Sequence, residues 1–402
     1  MFIWPRRYRL RVDNAKRLPT FPVALPPLTA FQAVMTKPHI LIPLHDFNAG
    51  GTEHIAFRLA GEWLARGWQV TFVAGDQAGQ LRGRVPAGAA VTVLDPPITR
   101  SPVSRLKLGK ALAAVAKELS PAIIFIPGNF HFVVAHAFKQ SLPTVPVVAK
   151  ISNPLLPGGI LAKLGAPALR AYLAPIDAFA AMSHGLAMDL RRVLPQAVVT
   201  TILDPNIADD VKPALMRDLR GSSAPVQLLA IGRLEPQKDF ALALRVLAEL
   251  AKTTPAHLTL LGEGYLRDRL EQLAAKLQLG TQLAMPGYVA DTAAAFVAAN
   301  VLLITSRFEG GPATAVEALA YGVPVVSTDC SHFLHDVITD PRLGRLVRER
   351  SPAALAAAIS AQLACAPAPP DLLKAAIKPS RYAASADAYL ALFAALLASK
   401  SA

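Results

Sequence analysis

Two carboxylates, Glu309 and Glu317, stand eight residues apart in the stretch Ser306-Arg307-Phe308-Glu309-Gly310-Gly311-Pro312-Ala313-Thr314-Ala315-Val316-Glu317. The apolar run from Val301 to Thr305 predicts a buried strand before them, and an apolar pattern of helical period follows. Glu309 then falls on a strand-to-helix loop, and Glu317 one or two turns into the helix. Gly310, Gly311 and Pro312 let backbone approach a ligand closely, and the amides of a helix opening at Ala313 and Thr314 favour an anion such as a diphosphate. One acid at the mouth and one deeper suit a ligand with hydroxyls in two places and phosphates between. A sugar nucleotide has that shape. An ordinary strand–helix unit with two incidental acids has the same residues, so the neighbouring motifs decide.

Arg233 and Lys238 lie in Gly232-Arg233-Leu234-Glu235-Pro236-Gln237-Lys238-Asp239, directly after a predicted strand at 226–231. Cations at a strand's carboxyl end would meet a diphosphate there. A departing nucleoside diphosphate gains negative charge as its bond to the sugar breaks, so fixed cations stabilise the transition state more than the ground state. No Asp-x-Asp occurs in the chain. Arg and Lys therefore supply the positive charge that a metal supplies elsewhere, and no metal or cofactor is expected.

Elements of two kinds must position these groups. Short apolar runs alternate with helical ones, which predicts an α/β fold with parallel sheets and crossover helices. In the first half strands are predicted near 39–44, 69–74, 91–94, 122–126, 146–151 and 178–182, with a helix from about Glu53 to Arg66. In the second half a helix near 239–252 follows the 226–231 strand, and further strands fall near 257–261, 282–285, 301–305 and 323–326. Leu203-Asp204-Pro205-Asn206 has the character of a hinge between the halves. At 402 residues the chain suffices for two domains, and with 53% hydrophobic and 17% charged residues each can bury a core. Cys330 and Cys365 are too few and too far apart for a disulfide framework or a metal site, and suit a reducing cytoplasm. The apolar run Tyr389 to Ala398 is too short to span a bilayer.

The Glu309 segment closely resembles the E-x7-E motif of the retaining glycosyltransferases of family 4, and other motifs follow in that family's order. Gly232-Arg233 with Lys238 resembles its diphosphate-gripping signature. Phe47-Asn48-Ala49-Gly50-Gly51-Thr52-Glu53 resembles its first glycine loop, in which Gly50 and Gly51 face the donor phosphates and the acceptor. Leu261-Gly262-Glu263-Gly264 and Pro286-Gly287-Tyr288-Val289 resemble its nucleotide-facing loops. The resemblance implies the GT-B fold: two facing Rossmann-like domains with a cleft between them and a C-terminal helix crossing back to the first. A plain terminal helix of the second domain is the alternative from pattern alone. The implied boundaries are a leader at 1–35, an acceptor-side domain at 36–205, a nucleotide-sugar domain at 206–380 and the helix at 381–402. Implied as catalytic are Glu309, Arg233, Lys238 and His131, with His136 a rival to His131. Implied as donor-binding are Gly50, Gly51, Glu263, Gly287, Tyr288, Val289, the run from Gly310 to Thr314 and Glu317. The donor is expected to be UDP- or GDP-linked. One loop departs from the family: Ser327 to Asp336 has no glycine where the family has a Gly/Pro-rich turn, and Asp336 replaces its glutamate only in part.

The net charge of +13 is uneven. Residues 1–34 carry a net +5, residues 36–206 a net +7 and residues 207–402 only +1. No nucleic-acid module accompanies this charge, so nucleic acid is not an expected partner. An anionic membrane surface, an anionic acceptor and a generally solvated basic surface all remain. Residues Leu155 to Pro175 place Leu161, Leu164, Ala168 and Tyr172 opposite Lys163 and Arg170, an interfacial pattern that Pro157 and Pro167 interrupt. A core-facing helix has the same pattern. Prolines 22, 26 and 27 spoil a signal core in the leader, so Met35 as the start, a disordered leader and a membrane-touching tail are the open readings. The expected activity is transfer of a sugar to a glycan or glycolipid hydroxyl in cell-surface polysaccharide or lipopolysaccharide synthesis, in the cytoplasm or at the inner face of the plasma membrane. A sugar-nucleotide epimerase or hydrolase of the same fold and a non-catalytic nucleotide-sugar-binding partner are the alternatives.

Overall fold

The computed structural model describes residues 37–48, 50–101, 104–153, 160–220 and 223–401. The leader and the start of the Leu155–Pro175 segment lie outside the described residues, as do the side chains of Leu161, Lys163 and Leu164. Two compact units emerge. Among the described residues, unit 1 lies within 37–182, 186–202 and 385–401, and unit 2 within 183–185 and 203–384.

Unit 1 holds seven parallel strands: β1 (His39–Leu44), β2 (Gln69–Ala74), β3 (Ala90–Val93), β4 (Ile123–Ile126), β5 (Val147–Ile151), β6 (Ala178–Ala181) and β7 (Val198–Thr201). Their order is β3-β2-β1-β4-β5-β6-β7. Central strands such as β1 and β4 are unbroken apolar runs because helices cover both faces of such a sheet. Unit 2 repeats the scheme with β8 (Val226–Ile231), β9 (Ala256–Leu261), β10 (Leu283–Gly287), β11 (Val301–Ile304), β12 (Val325–Thr328) and β13 (Gly344–Val347), in the order β10-β9-β8-β11-β12-β13. Pro286 is tolerated in β10 because that strand is an edge, and the ladder slips in register beside it.

The helices that matter for the site follow the first strand of each switch. Gly51–Ala65 follows β1, and Phe240–Leu250 follows β8. The helix Ile160–Leu173 runs through Pro167 rather than breaking there, at the cost of the amide hydrogen bond that proline cannot make.

The last helix, Tyr382–Ser401, extends well beyond its apolar run. By length and composition it is able to cross a membrane, with a mean hydropathy of 1.4. Its aromatic side nevertheless completes unit 1's core. Tyr389 and Phe393 are buried against Trp63 and Phe125 with ring centroids 5.1–6.2 Å apart. The Trp63 indole donates to the Ala386 carbonyl at 3.4 Å, and Arg66 pairs with Asp387. Truncating one such ring removes its transfer energy and leaves a cavity. Phe393→Ala should therefore cost roughly 3–5 kcal/mol of unit 1's stability. Denaturant unfolding followed by the fluorescence of Trp63 and Trp68 reads this directly, and an unchanged midpoint would show the helix to be dispensable to that core.

Candidate functional site

In unit 2 the order of strand addition reverses between β8 and β11. Helices leave the sheet to opposite faces at such a point, which opens a crevice outside the carboxyl ends where ligands bind. The two loops that flank it carry Lys238 and Glu309. They are sewn together by main-chain and side-chain bonds: Arg307 N–H donates to the Gln237 carbonyl at 2.7 Å, Thr305 Oγ1 to the Lys238 carbonyl at 3.0 Å, and Gln237 Nε2 to the Phe308 carbonyl at 3.0 Å. Arg350 fastens them from below, donating to the carbonyls of Ser306 and Thr305 and to Asp239.

Lys238 and Glu309 meet. Lys238 Nζ lies 2.6 Å from Glu309 Oε1, and Ser306 Oγ donates to the same oxygen at 2.6 Å. Glu309's amide donates to the Cys330 carbonyl at 2.8 Å. The glutamate side chain is only 9% exposed and the lysine 22%. A pair this enclosed is ordered before any ligand arrives, and Lys238 keeps N–H donors in hand beyond the one on Glu309. Burial, reinforced by the Glu309 charge, pushes the neighbouring Cys330 thiol up to about 11, so it remains protonated and unreactive.

The helix Ala313–Ala320 starts beside this pair, and no side chain caps it at Pro312. Gly310 and Gly311 are half-buried on the loop, the Gly310 carbonyl accepting from Ser331 Oγ at 2.6 Å. Ala313 and Thr314 form the first turn, and Glu317 is half-buried in the second. Arg233 is placed differently. Its guanidinium pairs with Glu235 at 2.8 Å and is 70% exposed, so the Arg233–Lys238 grip is not assembled in this structure.

The loops after β8, β9 and β10 are laced at backbone level. Gly262 has φ +139°, and a Cβ there would collide with the Gly232 carbonyl. Its amide donates to the Gly287 carbonyl at 2.8 Å, and the Leu234 amide donates to the Glu263 carbonyl at 2.8 Å. Glu263 itself pairs with Arg267 at 3.1 Å, which also holds the Met285 carbonyl. Tyr288 is 74% exposed and Val289 half-buried, just past β10.

The glycine-free loop after β12 is held by side chains instead. Ser331 caps the short helix His332–Val337, and Asp329 binds His335 at 2.7 Å with Arg348 at 3.7 Å.

Unit 1 has its own reversal, between β1 and β4. Gly50 precedes the helix Gly51–Ala65 in an extended conformation, while a Cβ on Gly51 would meet open space. Gly128, after β4, approaches the same helix so closely that a Cβ would stand 2.9 Å from Thr52 Oγ1. His131 follows on this loop, buried, and its Nδ1 has no hydrogen-bond partner. Burial first, then the charges of Arg100, His45 and Arg105, lower its pKa to about 4, so the ring is neutral at pH 7. His136 is exposed and bound to the Tyr172 carbonyl at 3.1 Å.

Residues 50–205 match the family described as Glycosyl transferase 4-like domain, and residues 212–378 match Glycosyl transferases group 1. The chain has the GT-B fold, and each half matches a glycosyltransferase domain family. Among solved GT-B structures it is similar to the lipopolysaccharide outer core galactosyltransferase WaaB, with a TM-score of 0.69 and 19% identity over 89% of this chain and 99% of that one. HepE of Anabaena, solved in complex with UDP and glucose, gives a TM-score of 0.64 and 18% identity over 90% and 100%. In sequence the chain is 35% identical over 101 residues to an uncharacterized glycosyltransferase of Methanocaldococcus jannaschii, covering 25% of each. It is 32% identical over 120 residues to an N-acetylgalactosaminyltransferase of Campylobacter jejuni that acts on a diphospho-undecaprenol substrate, covering 30% of this chain and 32% of that one. The chain thus spans about a quarter to a third of the length of these curated relatives.

Several residues of this GT-B chain that hold the site are silent in a motif search. Ser306 and Gln237 fix the Glu309 carboxylate, and His45, Asp46 and Arg100 surround His131 in charge. Ser306, His45 and Asp46 have one sequence signal, their position just after a strand that borders a reversal, and Gln237 and Arg100 lie further along their loops without one.

The Asp329–His335 bond raises the histidine pKa and lowers that of the aspartate. The histidine's share of stability is complete below its ordinary value of 6.5 and fades as pH rises through the raised folded value. The aspartate's share is complete above 3.8 and fades as pH falls through its lowered one. His335→Gln should therefore lower the melting temperature of unit 2 most near pH 5.5, and the deficit should shrink by pH 9. Equal deficits at both values would mean that the bond does not titrate.

Proposed function

We propose that this protein is a retaining, family 4-type glycosyltransferase that moves a sugar from a UDP- or GDP-linked donor to a hydroxyl of a glycan or lipid-linked acceptor. The observation that carries the reading is the enclosed Lys238–Glu309 pair at unit 2's reversal, beside an uncapped helix start. Glu309 holds the sugar hydroxyls and orients the anomeric carbon. Glu317 binds ribose hydroxyls. Lys238, with its remaining N–H groups, and Arg233, once turned from Glu235, neutralise the departing diphosphate. The bond from the anomeric carbon to the diphosphate oxygen breaks as the acceptor oxygen bonds to the same face of that carbon. The acceptor's proton passes to the departing phosphate oxygen.

Unit 2 binds the donor in this scheme and unit 1 presents the acceptor, with the neutral His131 imidazole as a hydrogen-bonding group for an acceptor hydroxyl. Cationic side chains supply the charge stabilisation, so the activity is metal-independent. The Campylobacter relative's diphospho-undecaprenol substrate and WaaB's lipopolysaccharide support an acceptor from cell-surface polysaccharide or lipopolysaccharide synthesis. The place of action is the cytoplasm, at the inner face of the plasma membrane, where the basic first half suits an anionic surface.

Incubation with UDP- and GDP-sugars and a panel of glycan acceptors tests the scheme. Nucleoside diphosphate should appear with glycosylated product, undiminished by EDTA, and Lys238→Ala should lower turnover by about 10²–10³. Donor consumption without any acceptor would point instead to an epimerase or hydrolase. Full turnover by the Lys238 variant would remove the lysine from the mechanism.

A further inference from the structure

Unit 1's reversal holds a second polar cluster that the donor chemistry does not use. His45 and Asp46 leave β1, His131 leaves the loop after the adjacent β4, and Arg100 follows β3. Asp46 is almost wholly buried. It accepts two bonds from Arg100, through Nε and through Nη2 at 2.9 Å, and one from the Asn48 amide at 3.0 Å. Burial opposes its ionisation, yet these donors hold its pKa at about 2.

The carboxylate thus orders one guanidinium and one loop amide. Arg100 Nη1 has no partner among the described residues, and the side chain is 53% exposed. His45 is anchored by Ser104 Oγ at 3.1 Å and stands 3.5 Å from Asp46. His131 offers a buried Nδ1 without a partner, a seat for a hydrogen bond that the protein itself leaves open. At His131 the charge of Arg100 depresses protonation more than Asp46 promotes it, after burial as the larger cause.

An ordered, half-exposed guanidinium near a buried imidazole nitrogen that lacks a partner matches a particular ligand chemistry. The imidazole takes a hydroxyl, and the guanidinium takes an anion carried on the same molecule. We infer that unit 1 selects acceptors bearing an anionic group, a phosphate or a carboxylate, next to the sugar hydroxyl, with Arg100 as the residue that reads the anion and Asp46 as the residue that positions it. The inference rests on the reading of unit 1 as the acceptor half and adds the substrate class.

The test uses the full chain saturated with UDP, so that unit 2's anion-binding loops are filled. Glucose, glucose 6-phosphate and glucuronate are titrated by calorimetry, with the ring signals of ¹³C-labelled histidine followed in parallel. At least one anionic sugar should bind ten-fold or more tightly than glucose and shift a histidine signal; which of the two does so identifies the anion. Arg100→Gln should erase the preference, and Arg100→Lys should restore part of it, while the UDP affinity of both variants stays at the parent's value. Equal binding of glucose and both anions, or a preference that survives Arg100→Gln, overturns the inference. Binding of none of the three overturns it as well. Failure to bind UDP in the parent protein would instead count against the donor reading of unit 2, and the anion preference is then scored without UDP by the Arg100 variants alone.

Discussion

A buried salt bridge between neighbouring loops is costly to assemble, because both ions give up water before they gain each other. Lys238 and Glu309 accept that cost at the reversal of unit 2's sheet, where the strand order leaves a crevice. Their loops are tied by main-chain bonds and by Arg350 before the charges meet, so the pair adds little disorder to be removed. Everything else at this end of the sheet follows from the same need. Ser306 and Gln237 hold the carboxylate, Gly232 and Gly262 let three loops approach within backbone contact, and Ser331 closes the loop beyond.

The two units solve the same problem with different chemistry. In unit 2 a lysine and a glutamate stand at the reversal. In unit 1 the corresponding position holds neutral imidazoles, with the charge displaced onto an arginine that is locked by a buried aspartate. Neutral rings suit hydroxyl groups, and a lysine among fixed donors suits phosphates. The two halves thus differ in the ionisation of the residues that follow β1 and β4 on one side and β8 and β11 on the other.

Most of the strand framework was legible in the sequence because the central strands are unbroken apolar runs, as in β1, β8 and β11. β7 and β13 were not legible there. Both are four-residue strands at a sheet edge, each with polar residues and partial exposure, so neither offers the hydrophobic run that marks a buried strand. The motif residues Glu309 and Lys238 were legible by type and spacing, and their mutual contact was not, since it depends on which strands are neighbours. Arg233 shows the converse: its motif is present, but its side chain lies on Glu235. The cluster around Asp46 was invisible because its members come from three separate loops and form no local pattern.

The Trp63 indole and the Ala386 carbonyl are 323 positions apart in the chain. On the ribosome, the residues that make β1 and β4 emerge early, whereas Tyr389 and Phe393 emerge only after the whole of unit 2. Unit 2 can close its core while still tethered, but the domain that is synthesised first is finished last. Until Tyr389 and Phe393 emerge, Trp63 and Phe125 lack the rings that cover them, and the nascent chain carries that exposed apolar surface while unit 2 is made.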